Sequence, residues 1–321
     1  MDATRRLRRE FGAVIGRAND IAEQLAEVRR LGLSIVRPGE AQYPSILDAI
    51  PDPPVALFVR GSLASLVKPL SIAVVGSRRA TPAGRQFAHA LGADLGRAGL
   101  VVVSGLAAGI DGAAHRGAIE AHSTTVAVVG GGLCRIYPAG HRGLANEIVA
   151  TGGAIVTEYP PTSTPRPANF PERNRIVSGL AAGVVVVEAS MRSGSLITAR
   201  MALEQGREVM AVPGHIAAGS HAGCHRLIKQ GAALVEDSTD VLQVLGLEPS
   251  TAVSATPSTH PLAHVLNAVH GEVATLHDIV ESLAMPAQEV LGALVELELD
   301  GFVESVRGGY IRRLHSNKDR R

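Results

Sequence analysis

The sequence predicts an α/β protein with a Rossmann-like, doubly wound, mainly parallel sheet, followed by a small C-terminal winged-helix-like domain. Three observations lead to this prediction. Short, continuous apolar runs such as 72–75, 100–103 and 183–187 are typical of strands covered by helices on both faces. Each run leads through Gly, Ser, Arg or Glu into a helical pattern, as in repeated βα units. The composition changes after about residue 244, which predicts a separate domain.

The N-terminal region has a mixed pattern. A helix is predicted at 19–31 and short strands at 34–36 and 56–59.

With 321 residues, the chain has room for two or three domains. In chain order, the predicted parts are a short helical and extended region at 1–70, a Rossmann-like domain at 71–246, a Ser/Thr/Pro-rich linker at 247–260 and a winged-helix-like domain at 261–315.

Residues 71–120 form the central strand–helix–strand–helix unit. Its first strand is followed by Gly-Ser-Arg at 76–78, and Thr-Pro at 81–82 predicts a capped helix start. The second strand opens into the glycine-rich segment 104–112. Helix starts at the ends of parallel strands carry unpaired N–H groups and a partial positive charge, and glycines allow a ligand to approach closely. The unit therefore predicts a phosphate site.

The alternation of strands and helices continues beyond this unit. Helices are predicted at 139–151 and from Phe170, which begins the segment Phe-Pro-Glu-Arg-Asn-Arg. Further strands are predicted at 125–129, 154–157, 183–187, 208–212 and 232–235. Six strands direct Gly, Ser, Arg or Glu clusters towards one edge of the sheet, the edge where open α/β sheets bind ligands.

The C-terminal part has the pattern of three helices and a hairpin. Helices are predicted at 261–270, from a capping box at 275–278, and at 287–299, with the hairpin at 302–313. The third helix lacks basic residues, and its acidic residues are Glu289, Glu296, Glu298 and Asp300. Such a face repels DNA, so a packing or protein-contact role is favoured. The alternative is DNA contact by the hairpin arginines Arg307, Arg312 and Arg313.

Composition argues against several classes of protein. Cys134 and Cys224 lie outside any Cys/His metal spacing, and no lysine stands in a Walker A loop. The net charge of +1 is not that of a general nucleic-acid binder. The apolar runs are too short to span a membrane, and no apolar segment of a secretory signal follows the basic start. We expect a cytoplasmic protein with no metal, cofactor or membrane partner.

Two groups of residues could carry catalysis. Ser104, Asp111 and His115 are the residue types of a hydrolytic triad, but they lack a nucleophile-elbow motif, and structural roles are favoured. Glu158 and Glu188 end different strands and could form a carboxylate pair, although the sequence gives no distance between them. Both possibilities depend on the fold.

The arginines at the strand ends point to a polyanion. Arg78, Arg173 and Arg175 would lie at one edge of the sheet, where several donors could bind successive phosphates of a nucleic acid. The alternative is that some of them form internal salt bridges with Glu158, Glu172 or Glu188. Aromatic residues are too few for an extended stacking platform, so binding would depend little on base sequence.

Six motifs occur together in a characteristic order. They are VVGSR at 74–78, SGLAAGIDGAAH at 104–115, TVAVVGGGLCRIYP at 125–138, FPERNR at 170–175, a long segment at 185–214 and LIKQGA at 227–232. With this set, the chain resembles the DNA-processing protein A (DprA/Smf) family over about residues 37–245. The linker and C-terminal module resemble the winged-helix end that many members carry.

The resemblance implies a protein without catalytic activity that binds and protects incoming single-stranded DNA. It also implies loading of a RecA-type recombinase during natural transformation, usually by a homodimer. Family members often have a lysine after Tyr-Pro, where this chain has Ala139, and Arg142 is the candidate substitute. By comparison with the helical, SAM-like N-terminal domain of many members, we expect only a shortened region of this kind before residue 70. The predicted DNA-binding residues are Gly76, Ser77, Arg78, Ser104, Gly105, Gly109, Asp111, His115, Arg142, Phe170, Arg173, Asn174, Arg175, Ser193, Gly194 and Ser195.

Two other functions remain open. Phosphoribohydrolases of the lysine-decarboxylase-like group share this style of fold and use a PGGxGTxxE loop. The corresponding stretch here is 192–198, and it places Thr198 where the catalytic glutamate would stand, which argues against an enzyme. A scaffold that senses a free nucleotide would have the same glycine-rich loops.

Overall fold

The structure is a computed structural model that divides the chain into two compact units, residues 1–250 and 251–321. It describes residues 18–68, 70–216, 219–247, 262–269, 274–283, 285–299, 303–306 and 309–312. Most of the predicted linker and the hairpin residues Arg307 and Arg313 lie outside these ranges. Among the described helices, none combines the length and apolarity needed to cross a bilayer.

The first unit is built on one nine-stranded sheet. Its strands are β1 (Ser34–Val36), β2 (Leu57–Gly61), β3 (Ser71–Val75), β4 (Val101–Ser104), β5 (Thr125–Val128), β6 (Ala154–Thr157), β7 (Gly183–Val186), β8 (Glu208–Ala211) and β9 (Ala233–Leu234). The order across the sheet is β1-β2-β6-β5-β4-β3-β7-β8-β9. The pairs β1/β2 and β2/β6 are antiparallel, and the other pairs are parallel. The predicted doubly wound, mainly parallel sheet is confirmed.

Helices connect these strands and cover both faces of the sheet. They are α1 (Ala18–Arg30), α2 (Ser45–Asp48), α3 (Pro82–Arg97), α4 (Ile110–Glu120), α5 (Arg142–Ala150), α6 (Asn169–Gly179), α7 (Ser195–Glu204), α8 (Ala222–Lys229) and α9 (Ser238–Val244). Along β3, Ala73 and Val75 pack into one core cluster while Ile72 and Val74 pack into the cluster on the opposite face. Burial on both faces explains why this strand is a continuous apolar run.

The N-terminal region extends the sheet. Residues 34–36 and 57–61 form β1 and β2, and β2 pairs with β6 from Phe58 opposite Thr157 to Gly61 opposite Ala154. Leu57 and Val59 belong to the same core cluster as the central strands. The part of the chain before residue 70 that the structure describes is therefore continuous with the Rossmann-like core.

The direction of strand order reverses at β3. The chain passes from β3 through β4, β5 and β6 on one side, and from β7 through β8 and β9 on the other. In open α/β sheets, the crevice at the carboxyl ends of the strands beside such a reversal is the usual place for a ligand. This topology brings the loops after β3, β4 and β7 together.

The second unit contains α10 (Ala263–Ala268), α11 (Leu276–Leu283), α12 (Ala287–Leu299) and the antiparallel hairpin β10 (Val303–Val306) and β11 (Gly309–Arg312). Ala274 forms a further antiparallel bridge with Tyr310. The predicted capping box is present, since Asp278 N donates to Thr275 Oγ1 over 3.2 Å and Thr275 N donates to Asp278 Oδ2 over 3.1 Å. Three helices and a hairpin agree with the predicted winged-helix-like domain.

Candidate functional site

A cavity of about 550 Å³ opens at the carboxyl ends of β3, β4 and β7. Its walls are the loop 76–79 after β3, the turn after β4, the first turns of α6 and the segment 190–198 that enters α7. Eleven of the sixteen predicted residues line it: Gly76, Ser77, Arg78, Gly105, Asp111, Phe170, Arg173, Asn174, Ser193, Gly194 and Ser195. The sheet reversal thus gathers segments that are far apart in sequence.

A cation and two aromatic rings meet at the mouth of this cavity. Arg78 is exposed, and its guanidinium carbon Cζ lies 5.0 Å from the centroid of the half-buried Phe170 ring. The Tyr137 ring, 52% exposed, lies 5.5 Å from Phe170 between ring centroids. A guanidinium over an aromatic ring is held by its attraction to the π electrons. The mouth therefore presents a phosphate donor beside a stacking surface.

The loop that carries Arg78 is held on two sides. Ser77 N donates to the backbone oxygen of Glu188 over 2.7 Å, and Ile110 N donates to Ser77 O over 3.2 Å. Gly109 has φ +81°, and a side chain there would collide with Ser77 O, so its role is close packing between two loops. These contacts fix the backbone from which Arg78 projects.

Glu188 also ties this loop to the start of α3. Its carboxylate, only 1% exposed, accepts from Thr81 N over 3.0 Å and from Thr81 Oγ1 over 2.7 Å. Thr81 in turn caps α3 by accepting from Gly84 N over 3.0 Å. A Cβ at position 84 would collide with the Glu188 carboxylate. Glu188 is therefore a positioning residue, a role that no local sequence pattern indicates.

The floor of the cavity is formed by a buried pair of opposite charges. Arg173 is 3% exposed and donates through Nη1 to Val128 O, while its Nε has no hydrogen-bond partner among the described residues. Asp111 Oδ2 accepts from Gly105 N over 3.1 Å. Burial raises the pKa of the Asp111 carboxyl, and it lowers the pKa of Arg173 to about 10. A Cβ on Gly105 would collide with both groups, so glycine is needed there.

The remaining wall is the entry to α7. Ser193 Oγ and Ser195 Oγ lie 2.7 Å apart, and a Cβ on Gly194 would meet nothing within 4 Å. Two exposed arginines that were not among the predicted residues, Arg79 and Arg192, also line the cavity. Both adjoin predicted residues, and this adjacency in sequence is the signal that could have identified them.

Ser104 and His115 are buried away from the cavity. Ser104 Oγ donates to Val74 O over 2.6 Å. Thr125 Oγ1 donates to Val102 O over 2.6 Å, so it accepts from His115 Nδ1, which lies 2.7 Å away. The proton of the neutral imidazole is therefore on Nδ1, and burial lowers the pKa of His115 to about 3. Since Asp111 bonds to backbone amides, these three described residues form no hydrogen-bonded triad.

Arg175 forms an internal ion pair. Its guanidinium donates to both carboxylate oxygens of Glu158, over 2.8 and 2.7 Å, and to Asp52 over 3.1 Å. Because it is buried in this network, Arg175 does not reach the cavity with Arg173. Glu158 is thus engaged by Arg175 and Glu188 by Thr81, so the two glutamates do not form a carboxylate pair. Arg142 is exposed at the first residue of α5 and lies outside the residues that line the cavity.

Two protein-family models match segments of this chain. The family model described as DNA recombination-mediator protein A matches residues 34–246, and the DprA winged helix domain matches residues 248–309. The chain belongs to the DNA recombination-mediator protein A family. All the residues that line the cavity fall within the first matched segment of this family.

Relatives of this chain include Protein Smf from Escherichia coli (strain K12). That protein is 44% identical over 280 residues, which cover 84% of this chain and 75% of Smf. DNA processing protein DprA from Bacillus subtilis (strain 168) is 42% identical over 221 residues, which cover 69% of this chain and 74% of the relative.

Two solved structures of DNA processing protein A are similar to this family member. The structure from Streptococcus pneumoniae has a TM-score of 0.63 at 40% identity and covers 71% of this chain and 83% of its own. A structure of the Helicobacter pylori protein, which describes its single-stranded DNA binding mode, has a TM-score of 0.60 at 29% identity. It covers 66% of this chain and 95% of its own.

Proposed function

We propose that the cavity and its rim bind single-stranded DNA through backbone phosphates and at least one stacked base. The observation that carries this proposal is the pairing of exposed Arg78 with the Phe170 ring at the mouth of the cavity. Arg79 and Arg192 add two exposed guanidinium groups along the same rim. The planar guanidinium group of arginine can donate two hydrogen bonds to the oxygens of one phosphate. These three side chains therefore provide several binding groups for a polyanion.

Single strands are favoured over duplex by the same geometry. Phe170 and Tyr137 offer ring surface to an unpaired base, whereas the bases of a duplex are already stacked and paired. Stacking and phosphate contacts are available to every base, so we expect little sequence preference. The single-stranded DNA binding mode described for the Helicobacter pylori relative supports this choice of ligand.

We also propose that the protein breaks no bond in its ligand. Ser104, Asp111 and His115 have separate partners, and Glu188 is held by Thr81. Thr198, which lines the cavity, stands where a phosphoribohydrolase would have its glutamate. These contacts argue against the hydrolase alternative, since Ser104 and His115 are buried away from the cavity and Asp111 accepts from a backbone amide.

The role in the cell is a further part of the proposal. Membership of the DNA recombination-mediator protein A family supports protection of incoming single-stranded DNA and its transfer to a RecA-type recombinase in natural transformation. A homodimer acting in the cytoplasm is the expected form. The exposed arginines at the rim of the cavity support this role, because they offer hydrogen-bond donors to the backbone phosphates of a strand.

The proposal is tested by fluorescence anisotropy with labelled oligonucleotides of equal length, one single-stranded and one forming a hairpin duplex. We expect tighter binding of the single strand and similar affinities for several base sequences. Equal affinity for the duplex would contradict the proposal. Incubation with nucleoside monophosphates, followed by detection of free base, tests the hydrolase alternative, and release of base would establish it.

A further inference from the structure

Helix α12 of the winged-helix unit has two apolar faces. Val290, Ala293, Leu294 and Leu297 face the core of the unit and are at most 7% exposed. Leu291, Val295 and Leu299 lie on the other side and are 42%, 49% and 83% exposed. Residues four apart are neighbours on a helix surface, so these three side chains form one continuous stripe. We call it the α12 stripe.

Acidic residues flank the α12 stripe. At 3.6 residues per turn, Glu289 and Glu296 lie along one side of it and Glu298 along the other. All three are exposed. Glu298 Oε1 accepts from Ser305 N over 3.0 Å, which fixes one flank against the hairpin. Neither α11 nor α12 contains a lysine or arginine, so no basic side chain on these two helices compensates the acids.

Gly292 leaves the surface beside the stripe open. A Cβ at this position would meet no atom within 4 Å, so the backbone of α12 is accessible there. A partner could therefore approach more closely at this point than at a residue with a side chain. The stripe and the gap beside it make a shallow surface for a helix.

These features are unsuited to DNA and suited to a protein. The third helix of a winged-helix unit is the one that enters the major groove in DNA-binding members. Glutamates on its outward face would repel the phosphates of DNA. Three exposed aliphatic side chains would have no apolar partner in the major groove. A contiguous apolar patch with a polar rim is typical of a protein-docking surface.

We propose that the α12 stripe docks a basic amphipathic helix of a partner protein. The apolar side of that helix would cover Leu291, Val295 and Leu299. Its lysine or arginine residues would lie next to the three flanking glutamates. This is the helix-in-groove mode of recognition, with the acidic flanks selecting a partner of opposite charge. The proposal does not depend on what the cavity binds.

The test uses the full chain and a fluorescent synthetic helix built from leucine and lysine at amphipathic spacing. A peptide of the same length with glutamate in place of lysine is the charge control. We expect the lysine peptide to bind and the glutamate peptide to bind at least about tenfold more weakly, because charge selects the partner. Equal binding of the two peptides would overturn the proposal.

Variants locate the binding to the stripe. The double substitution Val295→Ser and Leu299→Ser removes exposed apolar surface and should weaken the lysine peptide about tenfold. Leu203→Ser, at a site 61% exposed on α7 of the other unit, is the matched control and should leave binding unchanged. Unfolding temperature and single-stranded DNA affinity check that each variant is folded.

Two results would overturn the assignment. Equal losses in the stripe and Leu203 variants would mean that the peptide binds elsewhere. Light scattering provides the second check. If the stripe variants convert a dimer to a monomer while peptide binding is unchanged, the stripe is an interface between two copies of this chain.

Discussion

The guanidinium carbon of Arg78 lies 5.0 Å from the centroid of the Phe170 ring. The two residues come from the loop after β3 and from the first turn of α6, which the sheet reversal brings together. Each orients the other, because the cation is attracted to the ring and restricts the positions the ring can take. The pair forms one side of the cavity mouth.

Replacing Phe170 tests the stacking part of the site. Phe170→Leu should weaken single-stranded DNA binding by about 1–3 kcal/mol, the usual contribution of one base–aromatic contact. Phe170→Tyr keeps the ring and should retain most of the affinity. Anisotropy measures both variants, and thermal unfolding serves as the stability control. If the leucine variant binds as well as the tyrosine variant, no base stacks on this ring.

Replacing Thr81 tests whether Glu188 positions Arg78. Thr81→Val removes the hydroxyl that Glu188 accepts from and that caps α3, at a stability cost of about 1 kcal/mol. We expect single-stranded DNA affinity to fall severalfold, because the Arg78 loop is less fixed. In an Arg78→Ala background, the same substitution should have no further effect on affinity. Additive losses in this double-mutant cycle would show that Thr81 acts independently of Arg78.

Replacing Arg175 tests its assignment to an internal ion pair. Arg175→Met removes the guanidinium that donates to both carboxylate oxygens of buried Glu158, and it should lower the free energy of unfolding by about 3–5 kcal/mol. The double variant with Glu158→Met should recover part of this loss. Urea unfolding measures the stability, and anisotropy measures DNA binding by the folded fraction. If Arg175→Met is as stable as the wild type but binds DNA much more weakly, Arg175 belongs to the binding site.

Acid should destabilise the protein through His115. Burial lowers its pKa from 6.5 to about 3, so between these values the unfolded chain binds a proton that the folded chain excludes. The stability from this group is therefore lost as the pH falls from 6.5 towards 3. His115→Asn keeps an N–H donor for Thr125 but does not titrate, so its stability should fall less steeply over this range.

Urea unfolding of both proteins across this pH range measures the difference. As the pH is lowered, the free energy of unfolding should fall less in His115→Asn than in the wild type. The slopes of this free energy against pH should differ by the equivalent of up to one proton. Carboxylates titrate in both proteins and cancel in the comparison. Parallel curves for the wild type and His115→Asn would mean that His115 is protonated in the folded protein.

The sequence was sufficient to predict the sheet and the edge at which the cavity lies. The run 72–75 has no polar position because both of its faces are buried, and this pattern alone identified β3 as a central strand. The Gly-Ser-Arg segment at 76–78 and the glycine-rich segment at 104–112 then followed as loops at one edge. Local patterns of this kind depend on backbone geometry and burial. Both determine which residue types occur along a strand or in a turn.

The sequence allows an ion pair between an edge arginine and Glu158, but it does not indicate which arginine forms it. Arg173 and Arg175 stand two residues apart in one motif, yet one lies at the floor of the cavity and the other binds Glu158. The difference depends on where α6 lies relative to β6, which is a tertiary relationship. Glu188 was a similar case, because its contact with Thr81 joins two segments that only the folded sheet brings together.

The salt dependence of single-stranded DNA binding by Arg78→Ala tests the central claim most directly. Arg200→Ala is the matched control, since Arg200 is an exposed arginine on α7 outside the cavity lining. Removing one phosphate contact should weaken binding to all base sequences and reduce the slope of log affinity against log salt by about one. The control should match the wild type. An unchanged slope and affinity for Arg78→Ala would contradict a DNA site at this cavity.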